Sequence, residues 1–129
     1  MTPWYKRLPE RLRLETKLVK KVYPSARFVQ NKGLLEIYVN IRGRRRTYTA
    51  QVVYPHDFPY HPPIAYIVRP KLLHEPHMYR GGALCLYDAP DVGPQTSGKI
   101  VIDWTCGWIR SYEEFRRSGN WPDENKWKF

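Results

Sequence analysis

Cysteine is scarce in this chain, with two thiols, Cys85 and Cys106, among 129 residues. Neither belongs to a Cys-x-x-Cys pair, and two are too few for a disulfide framework. There is no apolar run of about 18 residues, the length needed to cross a bilayer. Arg and Lys interrupt the first 21 residues throughout, so no signal-peptide stretch is expected. Internal repeats and low-complexity tracts are missing. From these absences a cytoplasmic chain with reduced thiols and no membrane-spanning segment is expected. Acidic residues are also short, with 12 Asp and Glu against 22 Lys and Arg, for a net charge of +10. Such an excess suits an acidic partner (nucleic acid, an anionic membrane or an acidic protein face), or simply keeps copies of the chain apart.

What is plentiful is aromatic and stiff. Aromatics make up 15% of the chain, including five Trp and ten Tyr, and there are 12 Pro. The length suits one domain over residues 1–129, with a modest core rich in rings. Residues 8–22 carry a helical stripe of Leu8, Leu12, Glu15, Val19 and Val22, closed by Tyr23-Pro24. Its other face, rich in Lys and Arg, is expected to be solvated. A short strand over 26–30 precedes an Asn31-Lys32-Gly33 turn. Leu35, Ile37, Val39 and Ile41 then alternate with polar residues as a half-buried strand, and Tyr48, Ala50, Val52 and Tyr54 repeat the pattern over 47–54. Four prolines between 55 and 63 end that strand. Residues 64–68 make a fourth. Residues 70–91 read as a long loop, a form uncommon unless functional. Residues 93–98 read as a flexible insert. Trp104, Trp108, Tyr112 and Phe115 then form one stripe of a helix expected to start at an Asp103 N-cap and stop at Gly119. The order is helix, four-stranded antiparallel meander, long loop, C-terminal helix: an α+β fold.

Four groups of residues carry candidate chemistry. Cys85 follows Gly81-Gly82 and is close in sequence to Arg80, His74 and His77. A reactive thiol needs partial exposure and nearby positive charge, and glycine lets backbone N–H groups turn toward an oxyanion. The apolar context Ala83-Leu84-Cys85-Leu86-Tyr87 equally suits a buried filler. His74, His77, Cys85 and Cys106 form a chemically suitable zinc set, although the cysteines lack paired spacing. Cys106, in the first turn of the expected last helix, is a rival nucleophile, because a helix N-terminus lowers a thiol pKa. Arg42, Arg44, Arg45 and Arg46 make a basic hairpin tip, either solubilising or a dock for an acidic surface or a phosphate backbone.

The element order resembles the ubiquitin-conjugating (E2, or UBC) fold. Phe58-Pro59-Tyr60-His61-Pro62-Pro63 is similar to that family's proline turn, and Gly82-Ala83-Leu84-Cys85-Leu86 to its cysteine segment. The chain looks closer still to bacterial E2-like proteins of antiphage operons (cyclic-oligonucleotide signalling, CBASS). Pro76-His77-Met78-Tyr79-Arg80-Gly81-Gly82-Ala83-Leu84-Cys85-Leu86-Tyr87 fits their cysteine motif, and Trp104, Trp108, Ile109, Tyr112 and Glu113 fit their closing helix. Three features depart from these patterns. There is no His-Pro-Asn, the two further C-terminal helices of larger E2 enzymes are missing, and no tryptophan lies between Asp88 and Ile102.

The resemblance implies a thioester-forming transferase of the ubiquitin-conjugating type, acting in antiviral defence. Cys85 would accept an activated protein C-terminus and pass it to an amine. His77 and Tyr79 would position the thioester or its oxyanion, and Asp88 and Asp91 would orient the incoming amine. Lys17, Lys20 and Lys21 on the first helix would dock the activating enzyme. The partners implied are that enzyme and an activated cargo protein, by resemblance a nucleotidyltransferase. No metal or organic cofactor is needed, because the incoming thioester already stores the energy. Two other readings are an inactive E2-like module that binds a protein, and a basic nucleic-acid-binding domain. The latter expects aromatics on an open sheet face, whereas here they follow core-like spacing, so nucleic acid is the less expected partner.

Overall fold

The computed structural model describes residues 2–122; Met1 and residues 123–129, the two ends of the expected 1–129 domain, lie outside the described residues. A four-residue helix α1 (Trp4–Arg7) leads into α2 (Pro9–Val22). Strands β1 (Arg27–Asn31), β2 (Leu34–Arg42), β3 (Thr47–Val53) and β4 (Ile64–Arg69) pair antiparallel in the order β1-β2-β3-β4. After a 3-10 turn at Ala89–Asp91, helix α3 (Gly98–Ser118) closes the described chain. The expected α+β arrangement of a meander between N- and C-terminal helices is present.

The alternation in β2 and β3 does what its period demands. Leu35, Ile37, Val39 and Ile41 are buried, as are Tyr48, Ala50, Val52 and Tyr54. The register sets Ile37 opposite Val52 and Val39 opposite Ala50, so one sheet face is continuously apolar. Against the sheet lies α3, burying Val101, Ile102, Trp104, Trp108, Ile109 and Tyr112. Gly119, with φ +83, ends that helix as expected, and its N–H donates to Phe115 O at 2.7 Å.

Elsewhere the structure corrects the sequence reading. The ring cluster at one end of the core needs α1, which the sequence did not announce. Trp4 packs on Tyr54 and Phe58 with centroids 5.1 and 4.6 Å apart. Pro9, at the first position of α2, lets that helix start one residue later than expected. Only the middle of its stripe is buried, Glu15 and Val19 fully and Leu12 in part, while Leu8 and Val22 are exposed. The last helix starts five residues before Asp103, with Ser97 as its N-cap accepting from Ile100 N at 3.1 Å. Ile100, Val101 and Ile102 are β-branched, poor helix formers in isolation. Burial of Val101 and Ile102 overrides that preference. Asp103 instead pairs with Lys99 at 2.6 Å and accepts from the Tyr23 hydroxyl. The expected flexible insert at 93–98 ends in buried backbone, since Thr96, Ser97 and Gly98 are all inside.

The carboxylate of Glu15 joins these pieces. It is fully buried and accepts from Tyr54 Oη at 2.6 Å, Gly98 N at 2.8 Å and Arg11 Nε at 3.1 Å. Helix α2, the residue after β3 and the first turn of α3 thus meet on one side chain. Gly98 is required by close approach. A Cβ there would collide with the Tyr54 hydroxyl and stand 3.0 Å from Ile37 Cδ1.

Two substitutions test this node. Glu15→Ala leaves a buried hydroxyl and a buried N–H without their acceptor and is expected to cost about 3 kcal/mol in urea unfolding. Gly98→Ala would gain about 1 kcal/mol in an exposed helix; here overpacking reverses the sign, with a loss of about 2 kcal/mol. A stabilised Gly98→Ala protein would rule out the close approach.

Candidate active site

Residues 70–91 are more ordered than a plain loop. Met78 and Leu84 form an antiparallel bridge, Tyr79 N donates to Ala83 O at 2.8 Å and Gly82 N to Tyr79 O at 3.0 Å. This miniature hairpin turns at Gly81 and Gly82, whose φ values of +92 and +99 lie where side chains are strained. Its return arm docks on the sheet, with Leu84 N donating to Ala65 O at 2.9 Å. Leu84 and Leu86 point inward, 4% and 2% exposed, so alternation turns Cys85 between them toward the partly open side.

Cys85 is held from both directions. Its N–H donates to His77 O at 2.9 Å, and the same carbonyl accepts from Trp108 Nε1 at 3.0 Å. The tryptophan helix thereby fixes the height of the thiol through one backbone oxygen. His77 has φ +59, and its ring packs on Trp121 with centroids 4.6 Å apart. The structure thus ties His77 to Cys85 through its backbone.

Tyr79 is the side chain brought to the thiol. Its pKa is raised, first by the Cys85 charge, then by partial desolvation, by hydrogen bonding to Cys85 and by the charge of Asp88. A phenol so shifted stays protonated through neutral pH and remains a donor. Tyr79 is 58% exposed, so the pair is open to a partner. A pocket of about 180 Å³ lined by Ile64, Tyr79, Leu84 and Tyr87 adjoins it. Asp88 and Asp91 are both exposed, and Asp91 Oδ2 accepts from Asp88 N at 3.1 Å, which shapes the turn after Cys85.

The other sequence candidates are dispersed. Cys106 is the ninth residue of α3 rather than in its first turn, so the helix N-terminus does not reach it. Burial pushes its thiol pKa up, and a 3.8 Å contact with Tyr23 Oη offsets this only in part. Among the described residues, no three His, Cys, Asp or Glu side chains are grouped to hold a metal ion, so His74, His77, Cys85 and Cys106 do not form the zinc set considered from composition. Lys17, Lys20 and Lys21 are exposed on α2, but Lys20 also donates to Ala26 O and, at 3.4 Å, to Pro24 O, closing the turn into β1. Sequence reasoning did not find the Trp108 anchor or the hairpin; the Gly81-Gly82 pair was the available signal for the latter.

With this geometry in place, comparison with known proteins adds one match. Residues 15–128 match the model of a family described as type II CBASS E2 protein (E2-CBASS). No curated protein matches the chain.

The two thiols should differ in reactivity. At neutral pH, iodoacetamide is expected to modify Cys85 first, with Cys106 following only as pH rises past the ordinary thiol range, since its folded pKa is raised. Tyr79→Phe removes a donor to the Cys85 sulfur and should slow its alkylation about 3- to 10-fold, the worth of one hydrogen bond. Peptide mapping by mass spectrometry reads both, and prior labelling of Cys106 would contradict the burial argument.

Proposed function

The chain belongs to the type II CBASS E2 family, and from that membership we propose that it is an E2-like transferase that carries an activated protein C-terminus on Cys85. The observation that supports this most is the partly exposed Cys85 thiol, set beside a glycine hairpin with Tyr79 close enough for the two to interact. In the first half-reaction the Cys85 thiolate attacks the carbonyl carbon of an incoming thioester. A tetrahedral oxyanion forms and collapses, a new C–S bond replaces the old one, and the donor thiolate leaves. In the second, an amine attacks the same carbon, loses a proton to a base, and expels the Cys85 thiolate as an amide forms. The first step conserves thioester energy and the second is downhill, so the chemistry requires neither metal nor organic cofactor.

The roles follow from position. Tyr79, kept protonated, donates to whichever of sulfur and oxyanion carries the charge, the function that preorganised donors serve in acyl transfer. Asp88, whose charge already reaches Tyr79, is the better placed carboxylate to orient an amine; Asp91 shapes the turn that presents it. His77 serves through its carbonyl, which fixes the Cys85 backbone. Lys17, Lys20 and Lys21 offer the docking surface for an activating enzyme, and the cargo we favour is a nucleotidyltransferase. The site of action is the cytoplasm, where thiols stay reduced; among the described residues, no helix is long and apolar enough to cross a membrane.

With its activating system and cargo, wild-type protein is expected to form a reductant-sensitive adduct on non-reducing gels. Cys85→Ser should give a reductant-stable ester or no adduct, and Cys106→Ser should load normally. Tyr79→Phe should lower single-turnover transfer about 100- to 1000-fold, the cost of one lost oxyanion donor, with its fold unchanged. Loading lost in Cys106→Ser and kept in Cys85→Ser would overturn the assignment; no loading in any variant would favour an inactive binding module.

A further inference from the structure

A second feature lies apart from Cys85. A groove of about 1220 Å³ runs between the β2–β3 hairpin tip, the Pro70–Glu75 segment and the second half of α3; neither Cys85 nor Tyr79 lines it. It is preformed. Glu113 of α3 reaches across to accept from Arg44 N at 2.9 Å and Tyr48 Oη at 3.1 Å, and Gly43 leaves room, since a Cβ there would overlap the Glu113 carboxylate.

The lining is strongly one-sided in charge. The hairpin supplies Arg42, Arg44, Arg45 and Arg46, and the helix supplies Arg110 and Arg116. Its carboxylates are already engaged: Glu113 as above, Glu114 by Arg117, and Glu75 by the Tyr112 hydroxyl at 3.5 Å. Among the described residues, Arg44, Arg45, Arg46, Arg110 and Arg116 form no salt bridge with a carboxylate. Like charges gathered along one cleft repel one another, and an anionic occupant would relieve that repulsion. The cations are nearly all arginine, whose planar fork matches carboxylates and phosphates in bidentate fashion.

The floor distinguishes between anions. It is apolar, formed by Ile41, Ile109 and Leu72, and its two rings offer no free face. Tyr48 and Tyr112 are 2% and 8% exposed and pack edge to face at 6.4 Å, with Tyr112 also stacked on Trp108 at 5.3 Å. Single-stranded nucleic acid gains its affinity by stacking bases on open rings, which this groove does not provide. Aliphatic side chains between carboxylates suit both walls and floor. We propose that this groove is a docking site for an acidic protein segment in which Asp or Glu alternates with aliphatic residues.

The test uses the full chain and a fluorescent peptide of alternating Glu and Leu, read by anisotropy. The peptide should bind and weaken as salt rises; a Gln-Leu counterpart should not bind. Arg110→Glu with Arg116→Glu, both exposed on α3, should lower affinity at least about 10-fold with thermal unfolding unchanged. Cys85→Ser should bind as wild type, which separates this site from thioester chemistry. The proposal is overturned if the Glu-Leu peptide fails to bind, if the double variant binds it as wild type, or if an oligothymidylate binds more tightly and is the ligand lost in that variant; the last result would reassign the groove to nucleic acid.

Discussion

A fully buried carboxylate is expensive unless each of its oxygens is satisfied, and Glu15 meets that condition only if three separate parts of the chain arrive together. Arg11 comes from the same helix, Tyr54 from the end of the β3 region and Gly98 from the start of α3. The Tyr54 phenol is in turn driven well above its ordinary pKa by burial and by the Glu15 charge, so it stays a donor. Because the acceptor is shared, displacing any one element leaves the others with buried polar groups unmatched. The ring cluster of Trp4, Tyr54 and Phe58 encloses the node, and Arg11 lies over the Phe58 ring at 4.8 Å. Neighbouring apolar packing tolerates substitutions of similar volume; this junction has much narrower limits.

From that fixed start, α3 runs under the sheet and positions both proposed surfaces. Near its middle, Trp108 holds the carbonyl that holds the Cys85 backbone, while Leu84 and Leu86 anchor the same segment on the core side. The thiol is therefore presented from a segment held on both sides, as the proposed acyl transfer would need, because a nucleophile must stand at a defined distance from its donors. One turn further on, Glu113 fastens the β2–β3 hairpin to the helix, and the burial and carboxylate contact that raise the Tyr48 pKa keep that hydroxyl donating. One helix thus sets the height of the thiol at one place and the width of the basic groove at another. The two thiols show what such placement does. Both are partly exposed cysteines, yet Cys85 meets a phenol donor at an open rim, and Cys106 sits among Tyr23, Asp103 and the body of a helix.

The sequence by itself determined those features whose physics is local. Period-two alternation in β2 and β3 fixed which side chains face inward, because successive residues on a strand must point to opposite faces. Asn31-Lys32-Gly33 and Gly119 marked turns, since positive φ costs glycine least. The motif around Cys85 singled out that thiol, with His77 and Tyr79, as candidates. The rest depended on contacts distant in sequence. Asp103 is a good cap in isolation, yet α3 begins at Gly98 because burial of Val101 and Ile102 outweighs the weak helix preference of β-branched residues. Glu15 falls on an apolar stripe without revealing its partners, 39 and 83 residues away. Trp4 gains its helix only from the rings it meets. Cys106 looked poised for reactivity while it was placed in a first turn; the tertiary structure moved the turn and left the thiol half-buried in the helix body, because a helix end is set by what packs around it as much as by its own residues.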